Sequence, residues 1–136
     1  MPELICHLLG DYCLQNHAMA TKKTSSWRWA AIHVAFYMLP FLAVYRPSWA
    51  AIAVMAGTHL VIDRFRLARL WVNLWGIGCG GFLPRWFALS LWSFRGKPDP
   101  MPPVASPAPD FLAVWLLIIV DNTAHLAINH LSLRYL

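Results

Sequence analysis

Three of the six acidic residues in this 136-residue chain lie in or at the edge of apolar segments, and each has a histidine four positions away. The pairs are His7 with Asp11, His59 with Asp63, and Asp121 with His125. Residues four apart on a helix share a face, so each pair can present an imidazole and a carboxylate to the same point. Burying a carboxylate is costly unless something positive compensates it. Three such costs in one small protein call for a common explanation, and they restrict the folds open to the chain to those that bring these residues together.

The surrounding solvent follows from composition. Hydrophobic residues make up 59% and charged residues 12% of the chain, where an ordinary soluble domain has about 45–50% and about 25%. With eight tryptophans besides, the expected solvent is lipid. The fold class expected is therefore all-α: a polytopic membrane protein forming one integral membrane domain over 1–136. Glu3 stands where a signal peptide would carry basic residues, and no A-x-A-like site follows, so the first segment is expected to be retained.

Four apolar segments are expected as membrane-embedded helices, over roughly 4–20, 27–45, 48–66 and 110–133. Spanning takes about 20 helical residues, so the first three are short and leave room for tilt or partial insertion. Pro40 is expected to kink the second, and Arg46-Pro47-Ser48 makes a tight turn with Ser48 as a helix cap. Residues 67–94 are rich in tryptophan and broken by Gly76, Gly78, Gly80, Gly81 and Pro84. Short interfacial helices account for them best. GIGCGG lacks the spacing of a nucleotide-binding loop, and 95–109 reads as a proline-rich linker.

The net charge of +5 does not point to nucleic acid, because the basic residues are spread between apolar runs instead of forming one face. Lys22, Lys23 and Arg28, then Arg64, Arg66 and Arg69, follow the pattern of cytoplasmic loops. That pattern predicts a multi-pass protein of the bacterial inner membrane with its basic loops inside. The cysteines Cys6, Cys13 and Cys79 form no C-x-x-C pair and read as small packing residues.

No lysine or arginine lies within the segments to pair with Asp11 or Asp121, whereas a divalent metal supplies the missing charge. Mixed imidazole and carboxylate ligation suits zinc first, with manganese, iron or nickel as alternatives. The candidate ligands are His7, Asp11, His33, His59, Asp63, Asp121 and His125. Seven are too many for one tetrahedral ion. They suit two ions, or one ion whose ligands are oriented by further Asp–His hydrogen bonds. Asp63 has a competing explanation as an ion-pair partner of Arg64 at the membrane edge. Gln15 and Asn122 stand near enough to the pairs to bond ligands or substrate, while His17 and His130 read as interfacial and Asn129 as packing. Counting depth along straight helices at 1.5 Å per residue puts Asp11 and Asp121 about 16 Å deep, His33 and His59 about 8 Å deep, and Asp63 near the surface. On that count a single compact four-ligand site is hard to build.

HLLGDYCLQNHAMATKK resembles the start of an uncharacterised family of small bacterial and phage integral membrane proteins. Its members open with H-x-x-x-D-x-x-x-Q followed by alanine and lysine, here His7, Asp11, Gln15 and Lys22 or Lys23. The family pattern continues with His33, with Thr58, His59 and Asp63, and with Asp121 and His125. The resemblance covers most of the chain outside the tryptophan-rich region and the linker, and it implies no established activity. A looser similarity, in the use of intramembrane His and Asp, is to membrane-bound metal-dependent hydrolases.

Two functions are expected to compete. One is a metal-dependent hydrolase acting on a phospholipid, a polyprenyl phosphate or another amphiphile. In it, Asp121 or Asp11 would be the general base, His125 would orient it, and Arg64, Arg66, Arg69 and Gln15 would meet the substrate headgroup. The other is non-catalytic: a metal or proton conduit, or a phage-type factor binding a membrane partner. A conduit of this size would require homo-oligomerisation.

Overall fold

Proline at the start of the first helix and a glutamate in its first turn are both residues that helix N-termini favour, and α1 runs Pro2–Leu8. It does not continue as the expected single segment. The chain widens at Leu9–Cys13 into a π-helical turn closed by Leu14 N–H on Leu9 O at 2.9 Å. It then restarts as α2 (His17–Lys22), capped by the Asn16 side chain accepting from Met19 N–H at 2.9 Å. The computed structural model describes residues 2–75 and 110–136. Its further elements are α3 (Trp27–Tyr45), α4 (Trp49–Phe65), α5 (Leu67–Trp75) and α6 (Asp110–Tyr135). Among the described residues there is no strand.

Helices α3, α4 and α6 fall close to the segments read from the sequence. Ser48 caps α4 by accepting from Ala51 N–H at 3.1 Å, and Arg46, at φ 48°, turns the chain between α3 and α4. Helix α3 continues through Pro40 as one element, with Pro40 O accepting from the Cys6 thiol at 3.6 Å. Among the described residues two helices are long and apolar enough to cross a membrane, Trp27–Tyr45 and Val114–Tyr135, rather than four. The first segment fails because it is interrupted at Leu9–Asn16, and α4 is 17 residues long. Of the expected interfacial region only α5 is described; the rest of 67–94 and the linker at 95–109 lie outside the described residues.

The chain divides into two compact units. Met1–Leu67 with Asn122–Leu136 form the first, and Ala68–Asp121 the second. In the second, α5 buries Ala68 and exposes Leu70 and Trp71.

In the first unit the buried positions follow helical stripes. Helix α3 buries Ala30, His33, Val34, Tyr37, Met38 and Phe41, and α4 buries Ala51, Met55, His59, Ile62 and Asp63. From α6 come His125, Asn129 and Ser132. An apolar cluster of Cys6, Val34, Tyr37, Met38, Phe41 and Met55 closes one end of the interior. Beside it the interior is rich in polar groups: His7, His33, His59, His125, Asn129 and Ser132 are among the largest fully buried side chains. Phe36, Leu39, Leu42 and Val44 of α3 meanwhile face outward. Polar side chains buried this fully, with large apolar ones exposed, depart from the usual soluble pattern.

The π turn approaches α3 through Gly10. A Cβ added there would stand 2.8 Å from the Tyr37 ring, 2.9 Å from Tyr37 O and 3.0 Å from Tyr37 Cα. Two of those neighbours are backbone and cannot swing aside. Gly10→Ala is therefore expected to destabilise the protein by about 1–3 kcal/mol through overpacking. Thermal unfolding in detergent followed by circular dichroism measures it, and an unchanged midpoint would contradict this packing.

Candidate metal centre

Each donor is delivered by a different local device. The π turn inserts an extra residue into the first helical run and so changes the phase between His7 and Asp11. His7 turns toward Tyr37 and Asn122, while the Asp11 carboxylate reaches His33 and His59. His33 lies on the buried stripe of α3. His59 and Asp63, one turn apart on α4, keep the register that their spacing implies.

Four side chains converge: Asp11, His33, His59 and Asp63, all buried. The two Nε2 atoms of His33 and His59 are 3.1 Å apart. His33 Nε2 stands 3.1 Å from Asp11 Oδ1 and 3.2 Å from Asp63 Oδ2. His59 Nε2 stands 3.4 Å and 3.3 Å from the same two oxygens. These are five of the six edges of a tetrahedron, nearly equal in length.

One cation-free explanation is a hydrogen-bonded cluster, and valence limits it. An imidazole nitrogen carries either one proton or one lone pair. A single proton on one Nε2 therefore satisfies one contact and leaves the others unmade. Consistent with this, neither Asp11 Oδ1 nor Asp63 Oδ2 accepts a well-directed hydrogen bond among the described residues. A cation at the centre satisfies all four donors together. Zinc binds His nitrogen at about 2.0–2.1 Å and carboxylate oxygen at about 2.0–2.2 Å, and a tetrahedron's edge is about 1.63 times its radius, so its edges would be about 3.3 Å. The observed separations of 3.1–3.4 Å match that size. The group is thus able to hold a metal ion.

Around this cluster lies a polar shell. Asp63 Oδ1 is 3.6 Å from His125 Nε2, and the His59 and His125 rings lie 4.1 Å apart. The Tyr37 ring stacks on His59, with centroids 3.7 Å apart and planes at 20°. The Tyr37 hydroxyl accepts from the Asn129 amide and hydrogen-bonds His7 Nδ1 at 3.0 Å. His7 Nε2 in turn meets Asn122 Oδ1 at 2.9 Å, and Asn122 pairs with the Tyr12 hydroxyl. His7 is 3.7 Å from Asp11 Oδ2 and belongs to this shell rather than to the cluster.

A fixed cation also reaches the cluster. Lys23 Nζ forms an ion pair with Asp63 Oδ2 at 2.7 Å and approaches His33 Nε2 at 3.3 Å. The competing explanation of Asp63 as an ion-pair partner of Arg64 thus gives way to a pairing with Lys23. The Arg64 guanidinium bonds Thr24 O instead and lies over the Trp27 ring, 5.1 Å from its centre. Asp11 lies outside both candidate spans. Burial pushes its carboxyl up, but the His33 and His59 imidazoles and the nearby Lys23 ammonium hold it below the usual carboxylate range.

Of the expected ligands, the structure brings together Asp11, His33, His59 and Asp63, with His125 and His7 beside them. Asp121 ends the second unit, one turn before His125 along α6. The helical depth count that disfavoured a compact site fails, because the π turn and the break at Leu14–Asn16 prevent the first segment from rising 1.5 Å per residue. Arg66 donates to the Thr24 hydroxyl at 3.2 Å, Arg69 lies in the second unit, and the Gln15 Oε1 is buried without a hydrogen bond among the described residues. His130 meets Glu3 at 3.1 Å near the surface. Lys23, Tyr37 and Asn129 were missed as site residues. Tyr37 follows His33 by four and Asn129 follows His125 by four, so the helical spacing that singled out the pairs also carried these two.

Together these features define a class: a helical protein with two helices fit to cross a membrane and a buried His/Asp group able to hold a metal ion. More specifically, the chain belongs to the DUF3307 family, described as "Protein of unknown function", whose family model matches residues 1–75. All four clustered donors and Lys23 lie within that match. No curated protein and no solved structure matches the chain.

Tyr37→Phe removes the hydroxyl that joins His7 to Asn129. It leaves two buried polar groups short of a partner, at a cost of about 1–3 kcal/mol. The expected readout is a lower thermal midpoint with unchanged helix content.

Proposed function

We propose that this chain is a membrane metalloprotein that holds one zinc ion on His33, His59, Asp11 and Asp63 and acts as a hydrolase on an amphiphile of the bacterial inner membrane. The observation that carries the reading is the set of near-equal 3.1–3.4 Å separations among two Nε2 atoms and two carboxylate oxygens. The buried polar side chains beside exposed large apolar ones support lipid as the solvent. So do the outward-facing apolar residues of α3 and the tryptophan with basic side chains at its start, Trp27 against Arg64 and Trp29 against Lys22. In this reading α1, α2 and α4 are membrane-embedded without each spanning fully.

The donor chemistry favours catalysis over a structural role. Structural zinc sites are typically rich in thiolates, whereas His with carboxylate is typical of catalytic ones. Here Cys6 bonds a backbone carbonyl and Cys13 is exposed. A bound divalent ion supplies a Lewis acid and lowers the pKa of a coordinated water toward neutrality. The chain's own residues then divide the remaining work. His33, His59 and Asp11 hold three corners. Asp63, whose Oδ2 is the fourth donor, is placed to take a proton through its other oxygen, because Oδ1 lies outside the four clustered donor atoms, 3.6 Å from His125 Nε2. Arg64 and Arg66, both fastened to Thr24 close to Asp63 along the chain, present positive charge to a phosphate headgroup.

A second reading has its own support. Four protein donors fill a tetrahedron, and closed sites are the mark of structural zinc. A non-catalytic metal-binding protein would need no open corner.

Purified in detergent without chelator, the wild type is expected to carry about one zinc per chain by elemental analysis, and His59→Ala and Asp11→Ala a small fraction of that. Metal-free wild type would refute the metal reading. Zinc-loaded protein is then incubated with vesicles containing phospholipid or polyprenyl phosphate. Release of a cleaved headgroup, slowed about 10²–10⁴-fold in Asp63→Asn, is expected of a hydrolase with Asp63 as base. Stoichiometric zinc without cleavage would select the second reading.

A further inference from the structure

Lys23 occupies a position that the metal reading alone does not explain. It is delivered by the end of α2, a six-residue helix held by the Asn16 cap. Its ammonium lies beside one edge of the tetrahedron, 2.7 Å from Asp63 Oδ2 and 3.3 Å from His33 Nε2. A carboxylate oxygen has two lone pairs, so Asp63 Oδ2 can accept from Lys23 and bind a metal at once. An imidazole nitrogen has one. His33 Nε2 therefore either faces the ammonium or coordinates a metal, never both.

We infer that Lys23 is a resident counter-ion: it neutralises the metal-free cluster, and metal binding displaces it from His33. The inference rests on the metal reading above and adds to it a regulation of the same site. Without a dication, two buried carboxylates face each other across two imidazoles, and among the described residues Lys23 is the basic side chain that reaches them. With one, a fixed positive charge stands next to a second, so each raises the free energy of the other's presence. Lys23 thus sets the affinity of the site by competition. Its side chain is 17% exposed, which gives it a route outward when it is displaced. Groups just outside a metal's ligands typically change its affinity about 10–100-fold, and here the direction is opposite to that of an orienting residue. An orienter strengthens binding, whereas a competitor weakens it.

The test uses the full chain in detergent and Zn²⁺ as the probe, with affinity measured against a chromogenic chelator at fixed pH. Lys23→Met is expected to bind zinc about tenfold or more tightly than wild type, and its metal-free form to unfold at a lower temperature. Lys23→Arg, which keeps the charge, is expected to stay near the wild-type affinity. Equal or weaker binding by Lys23→Met overturns the inference while leaving the metal site standing. Zinc bound by neither protein refutes the metal reading and this inference with it. Should Lys23→Met fail to fold, pulsed acylation of wild-type lysines read by mass spectrometry decides the matter. Lys23 labelling is expected to rise on adding zinc, and labelling that is indifferent to zinc overturns the displacement.

Discussion

Two carboxylates, Asp11 and Asp63, each 7% exposed, share the interior of the first unit with imidazole nitrogens little more than 3 Å away. Removing an ionised carboxylate from water costs several kcal/mol even after the protein relaxes around it, and domains are stable by only about 5–15 kcal/mol in total. Neither cost is tolerable without positive charge close by. Three sources are available: protons on the imidazoles, the Lys23 ammonium and a metal ion. Protons satisfy the contacts one at a time and Lys23 lies to one side, so a central cation is the one source that uses the whole geometry.

That requirement organises the helices around it. In lipid, apolar surfaces gain little by meeting each other, and association depends on close packing and interhelical hydrogen bonds. On the membrane reading proposed above, the contacts of the first unit are of this kind. Tyr37 of α3 stacks on His59 of α4 while its hydroxyl joins His7 of α1 to Asn129 of α6. Ser48, at the head of α4, donates to Leu136 O at the end of α6 at 2.9 Å. Gly10 adds the close packing, because only a residue without a Cβ lets the π turn lie against the Tyr37 backbone.

What the sequence made legible divides along the same physical lines. Helices α3, α4 and α6 were readable because long apolar runs bounded by Ser48 and the Arg46-Pro47 turn leave one conformation open. His59 and Asp63 were readable as partners because α4 is regular, so four positions is one face. The spacing of His7 and Asp11 suggested the right residues, and the two approach at 3.7 Å, but the π turn that carries Asp11 splits their roles. No local signal announces such a turn; its stabilisation comes from contacts with α3, which are remote in sequence. Lys23 was read as a topological charge because sequence distance hides that a break at Leu14–Asn16 folds it back over the cluster. Its neighbour Lys22 instead lies over the Trp29 ring, so the two adjacent lysines do different work that composition cannot separate.

The origin of the donors also sets how a bound cation would act on the fold. Asp11 comes from the π turn, His33 from α3, and His59 and Asp63 from α4, with Lys23 arriving after α2. A cation held by all four donors is therefore a crosslink between three separate elements, and its binding free energy is shared with the packing that brings them together. The apolar cluster of Val34, Met38, Phe41 and Met55 already joins α3 to α4, so that pair does not depend on the cation. The π turn is different: Asp11 is its polar tie to both helices and Gly10 its close contact with one. The first segment is consequently the part of the fold whose placement a change of cation alters most, and it is also the part that carries Lys23.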